Sequence, residues 1–415
     1  MASGIDRKYR IVWLCHFADQ ELIKRYNSSK VKEFAPWISL LISSIEKQLV
    51  HVELYIVSPN YFDNSDDHFE KNGIHYFFYK RIPFPSKFIT LARIYRILNI
   101  ESITNYYWCK KKIKNIIEKI NPHLVHLHGA ENPWYSAGIL PLIDKYNIFV
   151  TIQGFIRFSQ ENHNYRTQKM IIIEKEILKK STHIGVRTDD MSKTILGINP
   201  CAILHFHNYP ILIPSMTKNN IGKDERIDCI FFARVCKDKG IEDLLQAISI
   251  VKKINKSISL TIVGSATQTY LVYLESLCNE LDIVANVNFT GFLPTQEDIY
   301  KLAIQAKICV LPTHFDIIPG TIIESMFMKL PVIAYNVGGI SELNNKSEEN
   351  IILVEKDNIS VLSDKIILLL NNVDLRYRLA QDSYSFAMKK FNNEQIVNDL
   401  FKAYNSIANL NIPAY

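Results

Sequence analysis

The stretch "KICVLPTHFDIIPGTIIESMFMKLPVIAYNVGGISEL" occupies residues 307–343. Its apolar opening, KICVLPT, reads as a buried strand, and HFDIIPG as the loop at that strand's carboxyl end. TIIESMFMK has helical spacing with Pro319-Gly320-Thr321 at its start, and PVIAYN is a second buried strand before a Gly-Gly turn. This is either a plain strand-turn-helix corner of an α/β sheet or a built site for a polar ligand. In the second reading, the free N–H groups near 320–322 and the positive end of the helix dipole suit a phosphate. Glu324, about one turn into the helix, reaches hydroxyls such as those of a ribose, and Asp316, ahead of the turn, accepts from hydroxyls of a sugar.

Working outward, the same grammar of short apolar strand and amphipathic helix recurs in both halves. RIVWLCHF, VELYIVS, HLVHLHG, IFVTIQG and THIGVRT read as strands of a parallel sheet in the first half. DCIFFAR, LTIVGS, NVNFTG, KICVLPT, PVIAYN and NIILVE do so in the second. Strand-helix alternation run twice predicts an α/β protein of two doubly wound Rossmann-like domains. HNYPILIPSMTKNNIGKDER (207–226) reads as the linker between them. In such sheets, ligands sit in the loops at the carboxyl ends of strands.

A length of 415 residues fits two domains, and 47% hydrophobic content fits a soluble chain with a large core. No apolar run is long enough to span a bilayer and the start carries no cleavage site, so the sequence predicts a cytoplasmic protein. The seven cysteines form no CxxC pair, which predicts reduced thiols and no metal site. The net charge of +6 is uneven: residues 1–210 hold 28 Lys/Arg against 19 Asp/Glu. That excess predicts an anionic partner for the first half.

Further loops carry candidate chemistry. FFARVCKDKGIEDLLQA (231–247) places Arg234 and Lys239 at the mouth of one strand, beside a helix start near Gly240. Two cations there suit a diphosphate, although an ordinary exposed loop has the same composition. Gly264 in IVGS and Gly291 in NFTGFL each follow a strand, where a nucleobase can approach the backbone or the chain can simply turn.

These residues together resemble the retaining glycosyltransferases of the GT-B fold, family 4. The likeness rests on Asp-x7-Glu after LPT, on ESMFMKLPVIAYNVGGISEL, on ARVCKDKGIEDLLQA and on VNFTGFL, from about 228 to 345. The resemblance implies two Rossmann-like domains facing across a cleft: an acceptor-side domain over 1–205, a nucleotide-sugar domain over 206–392, and a terminal helix over 393–415 that returns to the first domain. Arg234 and Lys239 would neutralise the diphosphate of a UDP- or GDP-linked donor without a metal or other cofactor. Gly264, Gly291, Phe292 and Leu293 would lie by the base, and Glu324 would hold the ribose. Asp316 and the backbone of Ile318, Pro319, Gly320, Thr321 and Ile322 would hold sugar and phosphate. NPHLVHLHGAENPW (121–134) resembles the family's sugar-side segment and points to His128 rather than His126. Gln153 and Arg187 stand at neighbouring strand ends. Asp316 departs from the family's usual Glu by about 1.5 Å of side chain, Ala233 stands where a Gly precedes the Arg, and CHFADQELIKRYN lacks the usual glycines.

The segment 79–119 mixes Lys and Arg with Phe, Tyr, Trp and Ile. It fits either peripheral contact with an anionic membrane and an undecaprenyl-diphosphate-linked acceptor, or surface helices whose aromatics face the core. No nucleic-acid motif accompanies the charge. The expected activity is transfer of one hexose or related sugar to a glycan or lipid-linked acceptor, in capsule, O-antigen or exopolysaccharide synthesis. An inverting transferase or nucleotide-sugar epimerase of the same architecture, and a catalytically idle scaffold, are the alternatives.

Overall fold

A computed structural model of the protein describes residues 8–29, 31–84, 88–156, 164–217, 226–344 and 349–413. The chain divides into two compact units: Met1–Pro210 with Asn393–Tyr415, and Ile211–Asn392.

The first unit is built on β1 (Tyr9–Leu14), β2 (Val52–Pro59), β3 (Asp67–Lys71), β4 (Ile74–Tyr79), β5 (Leu124–His128), β6 (Ile148–Thr151), β7 (His183–Val186) and β8 (Ile203–Phe206). They form one sheet in the order β3-β4-β2-β1-β5-β6-β7-β8. The central strands are apolar on both faces, as a sheet covered on both sides requires: Ile11 to Leu14 and all of β5 are buried. Strand order reverses between β1 and β5, which places a switch point there.

Two features escaped the sequence reading. β3 and β4 form an antiparallel hairpin, joined by Asn72-Gly73, both at positive φ. That pair is what a two-residue turn matched to strand twist demands. Strand β3 itself reads DHFEK, too polar to show against an apolar template. Likewise β8 lies at the opposite edge of the sheet, with its end residues exposed.

Helix Asn393–Ala408 belongs to the first unit, where Val397, Leu400, Phe401 and Tyr404 share one core with Trp13, Ile38 and Leu54. Tyr209 packs into the same core. His207, Tyr209 and Pro210 are therefore buried, and the unit ends at Pro210 rather than at 205, because the start of the expected linker is held by a core aromatic. Residues 218–225 of that linker lie outside the described residues.

The second unit carries β9 (Ile227–Phe232), β10 (Leu260–Val263), β11 (Val287–Gly291), β12 (Ala306–Leu311), β13 (Val332–Tyr335) and β14 (Ile352–Val354). All pairs are parallel, in the order β11-β10-β9-β12-β13-β14. Counted within the unit this is 3-2-1-4-5-6, the order of dinucleotide-binding sheets, with its switch point between β9 and β12.

Tyr404 ties the last helix to the sheet: its hydroxyl accepts from Trp13 Nε1 at 2.9 Å and lies 2.6 Å from His126 Nδ1. Tyr404→Phe leaves both buried nitrogens unpaired, so we expect a loss of about 1–3 kcal/mol in stability, read as a lower denaturant midpoint. A midpoint equal to wild type would show that these pairings contribute nothing.

Candidate functional site

At the switch point of the second unit, two loops close on each other. Residues 233–240 follow β9 and carry Arg234, exposed, and Lys239, partly buried; residues 312–319 follow β12 and carry Asp316. Thr321 Oγ1 donates to the Phe232 carbonyl at 2.7 Å, seating the start of helix Gly320–Phe327 against the end of β9. His314 N–H and Thr313 Oγ1 both donate to the Asp238 carbonyl, at 2.8 and 3.1 Å. The contacts are close enough to require glycine. A Cβ on Gly240, at φ +70°, would lie 1.8 Å from the Pro312 carbonyl oxygen, and one on Gly338, at φ +53°, 1.9 Å from that of Asp316. Lys239 and Asp316 meet as an ion pair, and Asp316 Oδ1 also accepts the Ile317 N–H at 3.0 Å. Arg234, Lys239, Asp316 and the helix start thus gather at one strand-end edge, and Val235 N–H to Ser265 O (3.0 Å) ties in the loop after β10.

The helix start is narrower than expected. Ile322 N–H donates to the Pro319 carbonyl at 3.1 Å and its side chain is fully buried, so Ile322 offers a ligand nothing. The amides left for an anion are those of Gly320 and Thr321, at the positive end of the dipole. Ile318 and Pro319 are buried and present backbone only. One turn on, Glu324 Oε2 accepts from Gln296 Nε2 at 2.9 Å. Burial pushes the Glu324 carboxyl up to about 7, against the pull of that Gln296 donor. Gln296 lies three residues beyond Leu293, just past the motif the sequence reading stopped at. Gly264 N–H donates to the Gly291 carbonyl at 3.0 Å; Gly291 and Phe292 are exposed and Leu293 partly so, an open rim at the end of β11.

The sequence showed no metal-ligand spacing, yet the fold gathers one such group from dispersed positions. Asp243, His314 and Asp357 bring ligand atoms within 4.8 Å of one another. Asp243 Oδ2 is already engaged, by His314 Nε2 at 2.9 Å and the Tyr335 hydroxyl at 2.8 Å.

In the first unit, polar side chains crowd the carboxyl edge around the switch point. The ring centres of His126 and His128 are 3.6 Å apart, and burial, with the neighbouring histidines adding to it, drives both well below the usual imidazole range, so both are neutral. The direction of the hydrogen bonds at His126 follows from Trp13, whose indole N–H can only donate. Tyr404 accepts it and donates to His126 Nδ1. His126 must then carry its proton on Nε2 and donate to Thr151 Oγ1 at 3.0 Å. The Thr151 and Tyr209 hydroxyls lie 2.5 Å apart, either able to donate since Thr151 also has the Leu127 carbonyl at 3.5 Å, and Tyr209 pairs with His128 Nδ1 at 3.1 Å. His128 is left with an Nε2 that has no partner among the described residues. His126 is fully spent and His128 is not, which is the physical difference between them.

Other buried atoms without a partner among the described residues lie nearby: Gln153 Nε2, Glu131 Oε2, Asn208 Oδ1 and both ring nitrogens of His207. Arg187 stands beside His207, whose ring burial and the Arg187 charge lower to about 3. Burial pushes Glu131 up to about 7 despite backbone amides at 130, 131 and 153. Glu131 was legible as an acid at a strand end, three residues after His128. His207 and Tyr209 were not, because they fall in a stretch that reads as linker.

Residues 215–386 match the profile of the family described as Glycosyl transferases group 1. The capsular polysaccharide biosynthesis glycosyltransferase CapM of Staphylococcus aureus is 26% identical over 179 residues, 42% of this chain and 45% of that protein. The chain spans about half the length of the first curated relatives it matches. Among solved structures, sucrose-phosphate synthase from Thermosynechococcus elongatus superposes with a TM-score of 0.74 at 16% identity, over 96% of this chain and 99% of that one. HepE of Anabaena in complex with UDP and glucose does so at 0.67 and 14%, over 96% and 100%. Residues 215–386 are thus similar to the glycosyl transferases group 1 family, and the chain has the fold of the GT-B glycosyltransferases.

Proposed function

We propose that the chain is a retaining glycosyltransferase of family 4, moving one hexose or related sugar from a UDP- or GDP-linked donor to a glycan or lipid-linked acceptor in bacterial surface polysaccharide synthesis. The observation that carries this reading is the convergence of Arg234, Lys239, Asp316 and the amides of Gly320 and Thr321 at the β9–β12 switch point. The similarity to CapM supports a capsule-type pathway, and the similarity to HepE solved with UDP supports a nucleotide donor.

In this reading, the bond between the sugar's anomeric carbon and the phosphate oxygen breaks, and its electron pair goes to the phosphate. Lys239, Arg234 and the helix amides stabilise that growing charge, which is where fixed cations contribute most. The acceptor hydroxyl bonds to the anomeric carbon on the same face and passes its proton to the departing phosphate oxygen. Lys239 exchanges Asp316 for the diphosphate, and the freed Asp316 carboxylate accepts from sugar hydroxyls. Glu324 accepts from the ribose. His128 Nε2, Gln153 and Arg187 serve the acceptor or sugar side.

The segment 79–119 supports peripheral membrane contact on the cytoplasmic side. Its helices Ile89–Ile97 and Ile100–Ile103 expose Ile94, Ile97, Leu98 and Ile103 beside Arg93 and Arg96. Tyr95 and Tyr106 face inward instead, and 85–87 lie outside the described residues. Among the described residues no helix is long and apolar enough to cross a membrane.

Lys239→Ala and Arg234→Ala should each lower kcat/KM for sugar transfer by about 10²-fold or more; wild-type rates in both would remove these cations from the site. Because protein cations supply the charge, activity should persist after treatment with a chelator, and complete loss restored by Mg²⁺ would overturn metal independence. Glu324 gives a pH signature. Its carboxyl is pushed up to about 7, and the ionised form is the better acceptor for two ribose hydroxyls, so nucleotide affinity should rise with pH through about 7. In Glu324→Gln that rise should vanish; a titration showing the same slope in both proteins would separate Glu324 from the ribose.

A further inference from the structure

In the first unit a cavity of ≈ 220 Å³ is lined by Arg81, Arg96 and Arg166, with Tyr95, Glu101 and Trp134. Three separate segments bring the arginines together: Arg81 follows β4, Arg96 is on helix Ile89–Ile97, and Arg166 is in the first turn of helix Tyr165–Lys180. Arg81 is fixed in place, its Nε donating to the Asn60 carbonyl at 3.1 Å and its guanidinium 4.5 Å from the Tyr61 ring centre. Glu101 is the carboxylate on this wall, and both its oxygens are used, one by the Tyr95 hydroxyl and one by the Cys109 N–H at 2.9 Å. No ion pair joins the three guanidiniums to a carboxylate among the described residues.

Arg81 is partly buried while Arg96 and Arg166 are exposed, so the three cations stand open to an anion arriving from solvent. Planar guanidiniums match phosphate oxygens two at a time, so a phosphate or diphosphate group is the natural complement. The volume holds such a group and excludes a whole nucleotide sugar, since pockets for drug-sized ligands start at roughly 300 Å³.

What flanks the cavity says what the phosphate is attached to. On one side, the helix that supplies Arg96 exposes Ile97, which is 70% accessible, followed by Leu98 and Ile103. On the other, Trp134 belongs to the loop after β5: its carbonyl accepts from Tyr79, and Asn132 reaches the Tyr61 hydroxyl at 3.4 Å beneath Arg81. That loop carries Glu131 and leads back to His128. Apolar surface, arginine cavity and hydroxyl-binding edge therefore follow one another. We propose that Arg81, Arg96 and Arg166 bind the phosphate of an acceptor in which a lipid chain and a sugar are joined through that phosphate. This rests on the transferase reading and assigns its acceptor site.

The test uses the full chain and phosphatidylcholine vesicles carrying either a polyprenyl phosphate esterified to a sugar or the same mole fraction of phosphatidylglycerol, both diesters of equal charge. Co-sedimentation should favour the sugar-linked polyprenyl phosphate by about tenfold, and the paired substitution Arg96→Gln with Arg166→Gln, both exposed side chains, should abolish the preference. Equal retention on the two vesicles, or a preference that survives the substitutions, overturns the site. Inorganic pyrophosphate binding to wild type with vesicles adding nothing would assign the cavity to a free phosphate and overturn the lipid part. UDP and GDP titrations run alongside: the substituted protein should bind nucleotide as wild type does. A wild type that binds neither nucleotide while keeping the vesicle preference would fail the transferase reading alone.

Discussion

The indole N–H of Trp13 cannot accept a hydrogen bond, and the polar interior of the first unit is ordered by that fact. Tyr404 and His126 pass the direction on to Thr151, and Thr151 and Tyr209 extend the network to His128, so one donor buried in β1 decides which nitrogen of His126 holds a proton. The last helix of the chain is a participant because it carries Tyr404. Its place in the core is thus a condition of the site, since without that hydroxyl His126 loses a partner and its proton has no fixed place. A buried network of this kind tolerates little partial satisfaction.

The second unit meets a different demand with different means. Its ligand-side loops are packed backbone against backbone, at separations that leave no room for a Cβ on Gly240 or Gly338. Such turns cannot drift apart without breaking the 2.7–3.1 Å hydrogen bonds that Thr321, His314 and Thr313 make across them. Donors held this way are oriented before any ligand arrives, which is what makes them effective against developing charge. The Lys239–Asp316 pair serves the same end. Each side chain is mostly buried and would be poorly placed alone; paired, both are kept at the switch point until a stronger anion takes the lysine.

The fold was legible where residues are apolar and strands central, as in IVWL, LVHLH and KICVL, because burial on both faces leaves continuous runs. It was illegible at the edges: DHFEK is polar enough to pass for a loop, ILHF is apolar but only four residues long, and only the Asn72-Gly73 turn announced the hairpin. Site residues followed the same logic. Arg234, Lys239 and Asp316 stand in the loops that leave strand ends and Glu324 one turn into the helix that follows, where position in sequence predicts position in space. The arginine cavity draws on Arg81, Arg96 and Arg166, and no periodicity in the sequence links them. The free amide expected of Ile322 failed for a local reason: a helix entered from Pro319 closes an early bond onto that carbonyl.

The first unit's unpaired atoms also select a kind of ligand. Phosphate oxygens only accept, so a phosphate site needs donors alone. The edge around His128 offers His128 Nε2 and the donor Gln153 Nε2 beside acceptors at Glu131 Oε2 and Asn208 Oδ1. A hydroxyl group both donates and accepts, and a ring of hydroxyls can satisfy all four where a phosphate would face two like acceptors. A Glu131 carboxyl held near 7 extends the argument: it can donate when protonated and accept when ionised, so it suits a hydroxyl in either state and an anion only in one. The guanidinium cavity beyond Trp134 has the opposite character, since arginine carries no acceptor. Along one edge of a single unit, the chemistry of the side chains therefore separates a sugar-like portion from a phosphate-like portion of the same molecule.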